Sequence, residues 1–307
     1  ILVSASPKSK AEQEERLAEL AELASSADLT VIDRLVQRTQ SGHHRFQLGS
    51  GKLKDVLMQA MQKGADLLIF DQDLAPAQLR AIAEITDLTV IDRTQLILDI
   101  FAQRAHSREG KVQVELAQLR YLLPRLSGQG TSLSRLGGGI GSRGPGETKL
   151  ETDRRRIRER IDYLDREIAG FARHQDQRRS RRIRQAFPVI SIVGYTNAGK
   201  STLLNVLTKS QVATAPRVFE TLDTTSRRLH FPHGREVILT DTVGFIRDLP
   251  KDLLAAFRTT LDEMRDADLF LHVVDAGAKD LDTHIASVDT VLQSLALDQI
   301  PRVLVFN

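Results

Sequence analysis

The sequence predicts an α/β chain in three parts: a small N-terminal α/β domain over 1–106, a long antiparallel helical hairpin with a glycine-rich tip over 107–185, and a mostly parallel α/β domain carrying a phosphate-binding loop over 186–307, truncated at its C-terminus. Three observations predict it. Short β-branched runs alternate with amphipathic helical stretches in the first and last parts. Two seams of Leu, Ile and Val spaced by threes and fours flank a segment, 128–146, that holds 8 of the 19 glycines. A G-x-x-x-x-G-K-S sequence lies between an apolar run and a helical stretch, the context in which it binds phosphate.

A chain of 307 residues that is 41% hydrophobic can bury two or three cores. With no cysteine, disulfides, zinc ribbons and thiol catalysis are excluded, and a reducing compartment fits. Nowhere does an apolar run approach the ~18 residues of a membrane span, and the first fifteen residues lack the basic flank and apolar core of a leader. A soluble, cytoplasmic protein is expected. Because it begins at Ile1 and stops at Asn307 after an apolar run, the sequence reads as a piece of a longer chain.

In the first part, AEQEERLAELAELA (11–24) reads as helix, LTVID (29–33) as strand, KLKDVLMQAMQ (52–62) as helix and DLLIF (66–70) as strand. PAQLRAIAEI (76–85) returns to helix and LTVID recurs as a strand at 88–92. The hexapeptide LTVIDR occurs twice, at 29–34 and 88–93, which hints at two similar βα halves. No loop of this part carries a chemical motif, and the pair His43-His44 reads as an exposed loop, with no further ligand placed nearby for a metal.

In the middle part, Val112, Leu116, Leu119, Leu123 and Leu126 form one seam and Leu150, Ile157, Ile161, Leu164, Ile168 and Phe171 the other. Pro124 lies near the end of the first helix, and Thr148 or Thr152 is placed to start the second. Pairing of ~20 residues would carry the loop 127–147 roughly 30 Å from the base of the hairpin. Charge is concentrated here: residues 107–184 hold 19 Lys and Arg against 10 Asp and Glu, a net +9, while the whole chain is only +3 and both flanks are mildly acidic. The loop carries Arg135 and Arg143 and one acid, Glu147. A positive hairpin suits an RNA surface, because phosphate neutralisation dominates nucleic-acid affinity. Its G-x-G-x-x-G stretch (139–144) follows a helix and not a strand, so it is not a dinucleotide fingerprint.

The last part begins after the basic run RRSRRIR (178–184). PVISIVG (188–194) is a buried-strand pattern, KSTLLNVLTKS (200–210) is helical, and SRRLHF and REVILTDT flank a Pro-His-Gly turn. LLAAFRTTLDEM (253–264) and SVDTVLQSL (287–295) read as helices, DLFLHVVDA (268–276) and RVLVF (302–306) as strands. Between the first strand and helix lie Gly194, Tyr195, Thr196, Asn197, Ala198, Gly199, Lys200 and Ser201. The glycines permit close backbone approach, the amides and helix start form an anion nest, Lys200 would neutralise the β and γ phosphates, and Ser201 would ligate Mg²⁺. Forty residues on, Asp241, Thr242, Val243 and Gly244 have the D-x-x-G form, with Asp241 able to hold the metal through water and the Gly244 amide able to sense a γ-phosphate. Between the two, Phe219, Glu220, Thr221, Leu222 and Asp223 stand where a switch loop would bring a threonine, Thr221, to the metal.

Phe245 stands where Ras-like enzymes carry the glutamine that orients the attacking water. A phenyl ring cannot do so, so intrinsic hydrolysis is expected to be slow. Asn197 is the candidate to compensate, by holding a monovalent cation, K⁺, against the phosphates.

These residues have a family resemblance. LGSGK (48–52), DRTQLILDIFAQRA (92–105), VELAQLRYLLPRL (114–126), GGGIGSRGPGETKLETDRRRIRERI (137–161), GYTNAGKST (194–202), FETLDTTSRRL (219–229) and DTVGFIRDLP (241–250) resemble HflX-type GTPases from about residue 45 onward. The resemblance implies a P-loop GTPase domain and a cytoplasmic, monomeric GTPase that binds the large (50S) ribosomal subunit. It implies that the 127–147 loop reaches toward the peptidyl transferase centre and that the protein helps separate stalled or stressed ribosomes into subunits. Gly194 to Thr202, Phe219 to Asp223, Asp241 to Gly244 and Asn307 would contact GTP, with Ser201, Thr221 and Asp241 at Mg²⁺ and Lys200, Thr221 and Asn197 serving catalysis. Asn307 would open the guanine-reading N-K-x-D, whose Lys and Asp are not in the sequence. The competing readings are a non-catalytic RNA-binding scaffold with a structural nucleotide, and a P-loop metabolic kinase, for which the +9 hairpin has no use.

Overall fold

The computed structural model describes residues 1–39, 45–126, 149–185, 187–208, 218–219, 225–231, 235–257, 261, 263–278 and 280–307, of which 149–150, 172–185, 251–252 and 263 are described by backbone alone. The described chain divides into two compact units, Ile1–Ile100 with Gln118–Asp162 and Phe101–Ala117 with Tyr163–Asn307. The glycine-rich loop 127–147, with Arg135, Arg143 and Glu147, lies outside the described residues, as do His43-His44, Glu220, Thr221, Leu222 and Asp223.

The first unit is organised around β1 (Leu2–Ser6), a strand buried along its whole length. Sequence analysis weighs these residues only as a leader, although a short, apolar run is also what a central parallel strand requires. After it, α1 (Lys10–Ser26) is started by a capping box: the Ser9 Oγ accepts from the Glu12 amide at 3.2 Å and the Glu12 Oε2 accepts from the Ser9 amide at 2.9 Å. β2 (Arg34–Arg38), α2 (Ser50–Gln62), β3 (Leu67–Phe70), α3 (Pro76–Ala83) and β4 (Thr89–Asp92) complete a four-stranded, all-parallel sheet of order β2-β1-β3-β4. Val3, Ala5, Leu53, Val56, Leu68 and Phe70 lie in its core.

The repeated hexapeptide is corrected here. Its second copy is β4, with Val90 and Ile91 buried, but its first copy is not a strand: pairing with β1 begins only at Arg34, opposite Leu2, and Ile32 is 44% exposed. The same residues take two states because strand formation follows pairing and burial more than intrinsic preference. LTVIDR is therefore not a mark of two equivalent halves.

At the carboxyl ends of β3 and β4 the charges satisfy each other. Asp71, fully buried, accepts from Arg16 Nε at 2.6 Å and from Arg93 Nη1 at 3.3 Å, while Arg93 Nη2 reaches Glu19 at 2.6 Å. Asp92 accepts from the Tyr121 hydroxyl at 2.8 Å, from Arg125 at 3.2 Å and from the Leu74 amide at 3.1 Å. Burial and the Asp92 charge push the Tyr121 hydroxyl pKa upward.

Among the described residues between β4 and residue 186 lie three helices: α4 (Arg93–Arg104), α5 (Arg108–Arg125, with Pro124 in its last turn) and α6 (Lys149–Gln185). The sequence pattern had not singled out α4. α6 begins before Thr152, which lies inside the helix and does not start it, and its 37 residues continue through the basic run 178–184. In the second unit Arg108 Nη2 lies 2.7 Å from Glu167.

The second unit contains β5 (Val189–Gly194), α7 (Lys200–Thr208), β6 (Thr225–His230), β7 (Glu236–Asp241), α8 (Lys251–Ala256), β8 (Leu269–Val274), α9 (Leu281–Ser294) and β9 (Arg302–Phe306). The sheet order is β6-β7-β5-β8-β9, parallel except for β6, which returns antiparallel to β7. In the amphipathic stretch 253–264, α8 runs to Ala256 and a 3-10 turn spans Glu263–Asp266, while 258–260 and 262 lie outside the described residues. Ile192, Leu204, Leu239 and Val273 pack the core between β5 and its neighbours, which leaves the carboxyl end of β5 in the middle of the sheet as the point where the phosphate-loop sequence turns.

Candidate functional site

β5 ends at Gly194, whose φ is +151°, and a Cβ there would stand 2.3 Å from the Val273 carbonyl oxygen of β8. Only glycine fits between these backbones. The turn continues through Asn197, exposed and left-handed at φ +60°, to Gly199 at φ +91°, where a Cβ would collide with the Asn307 side chain at 2.2 Å. Asn307 Nδ2 donates to the Ala198 carbonyl at 3.1 Å, so the last residue of the sequence braces the loop. α7 then starts, with the Leu203 amide donating to the Gly199 carbonyl at 2.9 Å. The result is a turn of small residues leading into a helix N-terminus, an arrangement that favours anions.

Lys200 is buried, and its Nζ donates to the Tyr195 carbonyl at 2.7 Å. Burial lowers its pKa to about 8, against the opposing pull of Asp241. Ser201 Oγ donates to Asp241 Oδ2 at 2.6 Å, joining the first turn of α7 to the end of β7. These are hard oxygen donors of the kind Mg²⁺ takes, so the residues present fit that ion. Among the described residues no group of three or more His, Cys, Asp or Glu is arranged to hold a metal by side chains alone.

Beyond Asp241, Thr242 is buried and donates its hydroxyl to the Ile192 carbonyl at 2.7 Å, and Val243 is buried as well. Gly244 lies so close to the phosphate loop that a Cβ would stand 3.0 Å from Lys200 Nζ and from Thr196 Cα. Two backbone hydrogen bonds join the motifs: the Thr196 amide donates to Phe245 O at 2.7 Å and the Phe245 amide to Gly194 O at 3.2 Å. The Phe245 side chain is buried, in keeping with a residue that cannot orient water. Phe219 is buried too, and its amide donates to Thr196 Oγ1 at 3.1 Å. Thr202 is exposed on the first turn of α7.

Comparison with known proteins shows the family. Residues 189–307 match a family described as 50S ribosome-binding GTPase, 14–102 the GTP-binding GTPase N-terminal family and 104–182 the GTP-binding GTPase middle region. GTPase HflX of Caldanaerobacter subterraneus subsp. tengcongensis is 50% identical over 97% of this chain and 70% of its own length. The chain belongs to the HflX family of GTPases. GTPase HflX of Escherichia coli is 46% identical over 95% of this chain and 69% of its own length. Among solved structures, a crystal structure of an SsGBP and GDP complex is 26% identical over 99% of this chain and 82% of that one, with a TM-score of 0.53. Like its HflX relatives, this chain is a P-loop GTPase, and no helix among the described residues is long and apolar enough to cross a membrane.

The structure brings Gly194, Lys200, Ser201, Asp241, Gly244 and Asn307 to one end of the second unit's sheet. Sequence reasoning missed several residues that fasten this end. Tyr195 stacks on His284 of α9 with ring centroids 3.9 Å apart and accepts from the Arg247 amide at 2.9 Å. Arg247 itself lies 3.6 Å from Asp280, at the start of α9. A second set is centred on Phe101, whose ring packs on Phe219 and on Phe257. None of these has a motif of its own, since their partners are far away in sequence.

Proposed function

We propose that the chain hydrolyses GTP with Mg²⁺ as cofactor and couples its nucleotide state to binding of the large ribosomal subunit, promoting dissociation of stalled or stressed ribosomes. The convergence of Lys200, Ser201, Asp241 and Gly244 on the glycine-lined turn carries this reading. The turn amides and Lys200 bind and orient the β and γ phosphates. Arrival of phosphate gives the buried ammonium the counter-charge that the Tyr195 carbonyl replaces only in part, and so keeps Lys200 protonated near neutrality. Ser201, Thr221 and Asp241 would hold Mg²⁺. When bound, the ion supplies neutralisation of the charge on the transferred phosphoryl oxygens. The Gly244 amide would read the γ-phosphate, and Asn197, at the exposed rim of the loop, would hold K⁺ against the phosphates and so compensate for Phe245, which stands where Ras-like enzymes carry a glutamine.

In this reading the regions divide the work. Residues 186–307 bind nucleotide, with Phe219 to Asp223 as the first switch and Asn307 at the guanine site. The +9 hairpin of 107–185 and its loop 127–147 meet ribosomal RNA. The protein acts in the cytoplasm as a monomer.

Sedimentation with 50S particles tests the proposal, comparing a GTP analogue with GDP and the full chain with a variant lacking 131–143. Co-pelleting that depends on both the analogue and the loop is expected. Equal pelleting in all four cases would overturn the ribosomal part of the proposal.

A further inference from the structure

Tyr195, the second residue of the phosphate turn, is held on three sides. Its backbone carbonyl accepts from the buried Lys200 Nζ at 2.7 Å. Its hydroxyl accepts from the Arg247 amide at 2.9 Å, and its ring lies on the His284 imidazole with centroids 3.9 Å apart and planes within 8° of parallel. The side chain is buried. Phosphate binding does not itself call for an aromatic ring here, because the turn attracts anions through its amides, Lys200 and the start of α7.

Tyr195 ties together groups that sequence separates. Its tether to Arg247 extends a short parallel pairing in which Tyr195 faces Phe245, the Thr196 amide donates to the Phe245 carbonyl at 2.7 Å and the Phe245 amide donates to the Gly194 carbonyl at 3.2 Å. Gly244 directly precedes that pairing, and it is the residue whose Cβ would stand 3.0 Å from Lys200 Nζ. The Tyr195 carbonyl thus locates the ammonium of Lys200, and its hydroxyl helps to locate the strand end that carries Gly244. Tyr195 in turn rests on one face of α9. His284 lies four residues after Asp280, whose carbonyl accepts from the His284 amide at 3.0 Å, and the Asp280 carboxylate lies 3.6 Å from Arg247 Nη2. The start of α9 therefore holds both partners of the Tyr195–Arg247 hydrogen bond, one by stacking and the other by charge.

We infer that His284 is a positioning residue for GTP hydrolysis: its ring holds Tyr195 so that the Tyr195 carbonyl and hydroxyl keep Lys200 and Gly244 at a fixed spacing. This rests on the roles proposed above for those two residues at the phosphates. It deepens them by naming a support that lies outside every nucleotide motif. The near-parallel rings make the contact one of faces, so a phenyl ring serves in place of the imidazole.

The test uses the full chain and counts competent molecules by stoichiometric binding of a fluorescent GDP, so that loss of fold does not pass for loss of rate. His284→Ala removes the ring at a helical position that alanine suits. It is expected to lower kcat for GTP about tenfold while KM changes by less than about threefold, since misplaced reacting groups cost rate and not ground-state affinity. His284→Phe restores the face and is expected to stay within about twofold of the wild-type kcat. Tyr195→Phe keeps the stack but loses the hydroxyl, and is expected to lower kcat roughly threefold. Combined with His284→Ala it should lower kcat no further than His284→Ala alone, because the released ring has already lost that bond. Wild-type kcat in His284→Ala, no recovery in His284→Phe, or multiplied losses in the double variant overturns the inference. Lys200→Ala, assayed in parallel, separates the two layers. If it abolishes turnover while His284→Ala leaves turnover intact, the nucleotide site stands and only the positioning role falls. Full turnover in Lys200→Ala overturns the reading of the site, and this inference with it.

Discussion

Both units place charged residues at the carboxyl ends of parallel strands, and they use them in opposite ways. In the first unit Asp71 is enclosed by Arg16 and Arg93, and Arg93 is also paired with Glu19, so charge is matched by side chains within the fold. In the second unit Lys200 leans on a neutral carbonyl and Ser201 on Asp241, around a turn that takes positive φ at Gly194, Asn197 and Gly199. Parallel sheets offer such crevices in general. A crevice becomes a phosphate site where a glycine-bearing turn leads into a helix N-terminus and a buried cation rests on a neutral carbonyl, and it becomes a structural network where acids and bases saturate each other.

The sharpest way to break this contrast is Asp71→Ala. Removing the acid leaves two buried guanidinium groups beside the vacated position, and a loss of ~3–5 kcal/mol in urea-unfolding stability is expected, with GTP turnover per folded molecule unchanged. If turnover fell while stability held, the network would be functional and the comparison would fail. Lys200→Ala is the reciprocal case. Phosphate release should fall by about 10²–10³-fold, as for loss of one preorganised electrostatic contact, with little change in the unfolding midpoint.

A pH experiment sharpens the same comparison. His272 is buried on β8, and burial, with Arg302 and Lys200 nearby, lowers its pKa to about 4 from the ordinary 6.5, opposed by Asp289. Below pH 6.5 the unfolded chain takes a proton that the folded chain refuses until about pH 4, so stability falls as pH drops through this window. The full loss is roughly 3 kcal/mol at the acid end. Unfolding of the second unit followed from pH 7 to 4.5 should show this slope, and His272→Leu should flatten it. The smallest effect is expected at Ser9. Ser9→Ala removes the α1 capping box and should cost about 1 kcal/mol, with nucleotide affinity untouched.

What sequence could reveal follows from the range of the interactions. The phosphate turn was legible because Gly194, Gly199, Lys200 and Ser201 act within eight residues, where spacing is geometry. The D-x-x-G segment was legible by its order along the chain. β1 was passed over because a five-residue apolar run has no period to betray it, and its strand state depends on pairing with Arg34–Arg38 and with Ile69 and Phe70. The first LTVIDR was misread for the complementary reason: its composition suits a strand, but β1 pairs with the residues after it. Phe101 and Phe257 are two of eleven phenylalanines, and although the stretches that hold them stand out, nothing in either stretch marks the ring that the other contacts.

By itself, then, the sequence determined the fold class, the nucleotide-binding turn and the concentration of positive charge in the middle of the chain. Each is set by local spacing, local conformation or composition. Only the tertiary structure decided which charges are consumed by the fold, which strand fills the centre of the first sheet, and which aromatic ring joins Phe219 to Phe257. Those outcomes depend on contacts between residues tens to more than a hundred positions apart, where burial and geometric fit, and not the neighbouring sequence, select the partner.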